Sequence, residues 1–150
     1  MIRHEGGFTL IELLVVVAII GILAAVAVAN LVGAVQRGRQ SRTMADMRIA
    51  ALAIEAYETD LSAFPRGSGT LESLAPYLEP TYIKKVPVSD GWNRPLLYDG
   101  SAKSYTLLSC GGNGTVDAPW GHGPTTGFQE DIVFVDGQFL QWPEGLQTEN

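Results

Sequence analysis

Glu12 stands at the edge of an uncharged run, residues 13–35, in which Asn30 is the only strongly polar side chain. As a helix rising 1.5 Å per residue, the run covers about 34 Å, enough to cross the ~30 Å hydrocarbon core of a bilayer. An unpaired carboxylate at the centre of such a helix costs roughly 2.5 to 3.5 kcal/mol, and less near the membrane surface. No basic side chain lies close enough in sequence to neutralise it. Two readings are open: a tolerated charge at the edge of a simple anchor, or an acid that takes its counter-charge from another molecule.

A second set of residues has the chemistry of hard-cation ligands. The segment SCGGNGTVDAPWGHGPTTGFQED, residues 109–131, is glycine-rich and carries the oxygen donors Ser109, Asn113, Asp117, Glu130 and Asp131. Ca²⁺ takes six to eight such oxygens, backbone carbonyls included, and glycine lets a loop wrap an ion. The same composition also suits an ion-free, turn-rich loop.

Other chemistry finds little material. Ser109, His122 and Asp131 supply the residue types of a hydrolytic triad, but nothing in their spacing brings them together. His122, flanked by glycines, reads as an exposed loop residue rather than a base or ligand, and Cys110, closing an apolar strand, reads as buried packing. One cysteine excludes an internal disulfide and a thiolate metal cluster. No glycine-rich phosphate loop with a lysine is present, so any ATP hydrolysis belongs to a partner. The chain is not expected to be an enzyme. Ten Lys and Arg against 16 Asp and Glu give a net charge of −6, and Arg37, Arg39 and Arg42 form the only basic cluster, so a single subunit is not expected to bind nucleic acid.

The elements that position these residues can be read from periodicity. A secretory signal peptide has a shorter apolar core and a polar cleavage region, whereas this run passes directly into further helix-forming sequence. Met44, Met47, Ala51, Ile54, Tyr57 and Leu61 recur at steps of three or four, while Arg42, Asp46, Arg48, Glu55 and Glu58 lie largely away from that stripe. One helix is therefore expected from Phe8 to about Thr59, with Gly33 and Gly38 as its soft points. Gly21, Gly33 and the alanines between Ala18 and Ala34 leave narrow strips where another helix can approach.

Pro65, Gly67 and Gly69 end the long helix, and Pro80, Pro87 and Pro95 break the stretch beyond it into turns. Thr70 before LESLAPYL predicts one short hydroxyl-capped helix with Leu71, Leu74 and Leu78 inward. PLLYD around Leu96, SYTLLSC at 104–110 and DIVFVDG near 131–136 predict strands, with QFLQW completing a hairpin through Asp136–Gly137. A small antiparallel sheet would then cover the Met44-to-Leu61 stripe. The tail PEGLQTEN reads as frayed. Trp92, Trp120 and Trp142 sit beside turn residues, as seals of the sheet or as subunit contacts.

The N-terminal segment GGFTLIELLVVVAIIGILAAVAVANL resembles the prepilin N-terminus shared by type IV pilins and the pseudopilins of type II secretion. The resemblance implies a basic leader ending in Gly7, cleavage before Phe8 by a prepilin peptidase that also methylates the new terminus, and Glu12 at the fifth mature position. It further implies that Glu12 pairs with the Phe8 amino group of a neighbouring subunit in a helical filament. An α-amine is largely protonated near neutral pH, so cleavage supplies the missing cation. Breaking such a buried pair strands a charge at about 3 to 5 kcal/mol, which makes Glu12 a register device.

YETDLSAFP, LESL, VPVSDGWNRPLLYD, SYTLLSCGGNG and EDIVF occur in the order of the major pseudopilins. SDGWNRP stands where that family tends to have an Asp-Pro-Trp-Gly-Asn-Pro run, and Ala29 where filament pilins often have proline. The resemblance implies calcium in the 109–131 loop, with GGNG matching Gly-Ala-Asp-Gly and Asp131 matching a ligand just before the final strand. Asn113 there replaces an acidic donor, which leaves Glu130 or Asp117 to restore charge. His4 falls within the implied leader.

The resulting expectation is an α+β, pilin-like fold in three parts: a cleaved leader at 1–7, a transmembrane and assembly helix at 8–36, and a periplasmic globular domain at 37–150. As a structural subunit it would cross the bacterial inner membrane once and extend a homo-oligomeric periplasmic pseudopilus that drives type II secretion. The implied partners are membrane lipid, the peptidase and methyltransferase, an inner-membrane assembly platform, a cytoplasmic ATPase and minor pseudopilins. Three arginines after the apolar run against Arg3 before it argue for the opposite orientation by the positive-inside rule. The alternatives are a type IV pilin of a surface fibre for adhesion, motility or DNA uptake, which a disulfide usually staples, and a monomeric membrane-anchored enzyme or binding module.

Overall fold

The computed structural model describes residues 7–148; positions 1–6 of the expected leader lie outside the described residues. The chain divides between Ala34 and Val35 into two compact units, and one helix, α1 (Leu10–Leu61), contributes to both. Its ends fall within two residues of those expected from the apolar pattern. Gly33 and Gly38 do not interrupt it. A glycine costs about 1 kcal/mol in a helix interior, too little to break a run otherwise rich in good helix formers.

In the first unit every described side chain from Phe8 onward is exposed, including Leu13, Ile22 and Leu23. A helix apolar on all sides and uncovered by its own chain has the length and composition to cross a membrane once.

In the second unit α1 turns amphipathic. Met47, Ala50, Ala51, Ala53 and Ile54 are buried, and Gln40 and Thr43 extend the same face toward the first unit's end of the helix. Leu61, expected inward, is 56% exposed because the helix stops there and Ser62 takes a left-handed backbone with φ 58°. Three alanines on the buried face let the sheet come close, and Leu71, Leu96, Tyr105, Leu107, Ile132 and Phe134 complete the core.

The sheet has six strands: β1 (Gly67–Thr70), β2 (Leu97–Gly100), β3 (Tyr105–Ser109), β4 (Gly123–Gly127), β5 (Ile132–Val135) and β6 (Gln138–Thr148), ordered β1-β2-β3-β5-β6-β4. All neighbours are antiparallel except β4 and β6, which run parallel. The four strands expected from alternation are β2, β3, β5 and β6. The β5–β6 hairpin turns at Asp136 and Gly137, both at positive φ, as an Asp-Gly turn of this kind requires.

Two edge strands correct the sequence reading. β1 is GSGT and β4 is GPTTG; neither has an apolar alternation to announce it. β6 also runs on to Thr148, so residues 143–148 are strand and not frayed; Glu149 and Asn150 lie outside the described residues. Gln147 fixes that extension, donating to the Thr125 carbonyl at 3.0 Å and accepting from Gln40 at 3.0 Å. The LESLAPYL segment is a 3-10 turn (Leu71–Leu74) leading into a single helical turn, α2 (Ala75–Leu78), with Leu71, Leu74 and Leu78 buried as expected. Thr70 makes no side-chain cap; Ser73 instead donates to the Thr70 carbonyl at 2.7 Å.

Candidate functional site

The N-terminal candidates sit at the start of α1. Phe8 is 80% exposed. Glu12 Oε2 accepts from the Thr9 N–H at 2.8 Å and from the Thr9 hydroxyl at 2.7 Å, while the Glu12 N–H donates to Thr9 Oγ1 at 3.2 Å. This is a capping box: Thr and Glu three apart satisfy otherwise unpaired donors at a helix start. Thr9 was not singled out from sequence, although Thr and Glu three apart are the signal of such a box; the box supplies Glu12 with hydrogen bonds but not with a counter-charge.

The second candidate set divides in two. Ser109 is fully buried and its hydroxyl donates to Asp90 Oδ2 at 2.8 Å. The other Asp90 oxygen accepts from the backbone N–H groups of Trp92 and Arg94, both at 2.9 Å. Arg94 in turn donates to the Gly111 carbonyl at 2.8 Å. Asp90, 1% exposed, thus organises the SDGWNRP turn and ties it to the end of β3. It was not singled out from sequence, although an Asp followed by Gly and Asn is a signal for a side-chain-closed turn.

Asn113, Asp117 and Asp131 form the other group. The Asn113 amide donates to Asp117 Oδ2 at 2.6 Å, and Thr115 donates to Asp117 Oδ1 at 3.2 Å. Asp131 Oδ2 accepts from the Asp117 N–H at 2.9 Å and from the Trp120 indole at 2.7 Å. Asp131 is wholly buried, and its Oδ1 has no hydrogen-bond partner among the described residues. Burial pushes its carboxyl above the usual range and the nearby Asp117 charge adds to this, against the two hydrogen bonds that favour the anion. Glu130 is exposed and accepts from the Gly127 N–H at 3.1 Å.

The structure therefore brings Asn113, Asp117 and Asp131 into one network and engages Ser109 and Glu130 elsewhere. Among the described residues, no three His, Cys, Asp or Glu side chains gather as a metal site. A buried carboxylate oxygen without a partner is nevertheless an acceptor suited to a cation.

Each tryptophan indole has a partner: Trp92 donates to Gln36 at 2.8 Å, Trp120 to Asp131, and Trp142 to Glu144 at 2.9 Å. Trp92 packs against the main core, and Trp120 against a smaller cluster of Leu108, Cys110 and Val133. Cys110 is buried as expected, its thiol pushed up chiefly by burial, and His122 is exposed.

Residues 2–28 match a family model described as the prokaryotic N-terminal methylation motif, and residues 30–122 match one described as type II secretion system protein G. Relatives named type II secretion system core protein G include one from Vibrio cholerae, 35% identical over 77% of this chain and 78% of the relative. The Escherichia coli relative is 36% identical over 73% of this chain and 83% of its own length. That of Dickeya chrysanthemi is 31% identical across 100% of this chain and 94% of its own. No solved structure matches the chain significantly.

Proposed function

The chain belongs to the type II secretion system protein G family, and from that premise we infer that it is a non-catalytic structural subunit of a pseudopilus that serves protein secretion. Its apolar helix crosses the inner membrane once. The match to the secretion family favours this reading over the pilin alternative.

One observation carries the mechanism: Glu12, capped by Thr9, opens a helix whose described apolar side chains over residues 13–35 are uncovered by the rest of the chain. Cleavage between Gly7 and Phe8 frees an α-ammonium group four residues before Glu12. Within one chain, Glu12 faces back into its own capping box. In a filament, a neighbour's Phe8 ammonium provides the positive charge, and sister helices replace lipid around residues 13–35. Each subunit added thus exchanges lipid contact for helix contact and completes one ion pair. An assembly platform, a cytoplasmic ATPase and minor pseudopilins are the partners this process needs, because the chain itself carries no means of using ATP.

Replacing Glu12 by Ala should leave membrane insertion and leader cleavage intact and reduce incorporation into filaments at least tenfold, the equivalent of losing only part of a ~3 to 5 kcal/mol buried pair. Counting chemically cross-linked subunits in membranes and sheared filaments separates these stages; wild-type incorporation would discard the role.

We further propose that the 109–131 loop takes calcium, with Asp131 Oδ1, the Asp117 carboxylate and the Asn113 carbonyl as side-chain donors and backbone carbonyls completing the shell. The buried, unpartnered Asp131 oxygen supports this. Calcium bound only by the folded unit would raise its melting temperature, by an amount that grows with ion concentration, and EDTA would reverse the rise. An identical melting curve in calcium and in EDTA would reject the site.

A further inference from the structure

We propose that Arg37, Arg39 and Arg42 form a collar that binds the phosphate groups of anionic phospholipids in the periplasmic leaflet. The proposal rests on the reading that α1 is held in the membrane before assembly.

Between Leu13 and Ala45 the only charged side chains are these three arginines, in a chain whose net charge is −6. All three are exposed on α1. Among the described residues the one ion pair is Arg42 with Asp46 at 3.5 Å, a surface pair with the arginine side chain 66% exposed. Arg37 and Arg39 have no described carboxylate within ion-pair distance.

Their spacing fits a lipid surface better than a protein partner. At about 100° per residue, Arg39 and Arg42 point roughly 200° and 140° around the helix from Arg37. Gln40, bonded to β4 and β6, and Thr43, bonded to the Gly91 turn, are buried in the same turns and mark the side the chain covers itself; the arginines, all exposed, flank that side or face away from it. Arg39 and Arg42, three apart, share a stripe, but Arg37 lies about 140° or more from both, so a single partner helix would not meet all three, whereas a ring of headgroups meets a helix from all its open sides. The axial extent agrees as well: five residues rise about 7.5 Å, close to the thickness of one headgroup layer. The collar begins two residues after the uncharged run ends, where that layer would lie.

The same contacts offset a cost. In the periplasmic orientation these arginines oppose the positive-inside rule, and phosphate contacts worth about 1 kcal/mol per arginine act against that bias once the helix is inserted.

The full-length chain in bilayers provides the test, with spin-labelled phosphatidylglycerol and phosphatidylcholine reporting which lipid is immobilised at the protein. We expect phosphatidylglycerol to be favoured about fivefold, as one arginine–phosphate contact at a membrane surface gives, with the preference shrinking as NaCl is raised. The triple variant R37Q/R39Q/R42Q should bring the ratio close to one, and R37K/R39K/R42K should restore most of it. K84Q/K85Q, which removes equal-sign charge from the globular unit, should leave it unchanged. Equal immobilisation of both lipids by the wild type would overturn the proposal. So would inorganic phosphate releasing phosphatidylglycerol beyond NaCl of the same ionic strength, which identifies a free-anion site. A triple variant that keeps the lipid preference but loses filament incorporation would assign the arginines to a neighbouring subunit. A chain that fails to float with vesicles at all overturns the membrane reading together with the collar.

Discussion

Asp131 shows what a single residue contributes beyond its place in a motif. Two hydrogen bonds hold one of its oxygens while the other is buried without a partner, and burial raises its carboxyl pKa. The sign of the consequence is fixed: a folded pKa above the unfolded value of ~3.9 means the folded state binds the proton more tightly. The group's favourable contribution is complete below that unfolded value and is lost as pH rises through the raised folded one. In EDTA, Asp131→Asn should therefore remove a loss of stability that the wild type shows as pH rises above about 4. The new amide's unpaired hydrogens cost ~1 to 3 kcal/mol at every pH, so the slope and not the absolute stability is the readout. Urea unfolding of both proteins across that range measures it, and parallel pH profiles would place the burial penalty elsewhere. At Tyr105 a buried polar group is instead satisfied: its hydroxyl donates to Glu55 at 2.8 Å, joining β3 to α1.

Between elements, the turn before β2 is docked on α1 through backbone. The Gly91 N–H donates to Thr43 Oγ1 at 2.8 Å, and Thr43 itself donates to the Arg39 carbonyl at 2.9 Å. A methyl group added at Gly91 would clash with the Arg39 carbonyl oxygen, so the turn can approach only without a side chain. Gly91→Ala should cost about 1 to 3 kcal/mol, the range for overpacking against backbone that cannot yield. A fall in the urea midpoint with an unchanged slope checks it, and it should be accompanied by increased exposure of Trp92 fluorescence, since Trp92 is held to Gln36 by the same turn. Asp90 makes the turn and Gly91 lets it dock; neither acts through the apolar pattern that defines the strands.

For the whole molecule, the division at Ala34 separates two solvents. The second unit has a core of its own, whereas the first leaves Leu10, Ile11, Ile22, Leu23 and Leu31 more than 60% exposed. A surface of that kind is covered by lipid or by sister helices. In the proposed mechanism polymerisation changes which of the two covers it, and Glu12 would bias the choice toward the neighbour whose cut terminus can reach it. The secretion role thus lies in the assembly surface and not in a pocket.

The sequence by itself determined the long helix, its change from apolar to amphipathic, four strands, the hairpin at Asp136–Gly137 and the Glu12 motif. Each is written in local spacing: a period near 3.6, a period of 2, a two-residue turn, a Thr and a Glu three apart. Tertiary structure alone decided that GSGT and GPTTG are strands, because an edge strand takes its conformation from the neighbour it pairs with. It likewise carried β6 to Thr148 through Gln147, gave Ser109 to Asp90 instead of to the loop, and left one oxygen of Asp131 alone. Such partners stand ten to a hundred residues apart in sequence, where no periodicity reaches; only the packed chain decides which donor meets which acceptor.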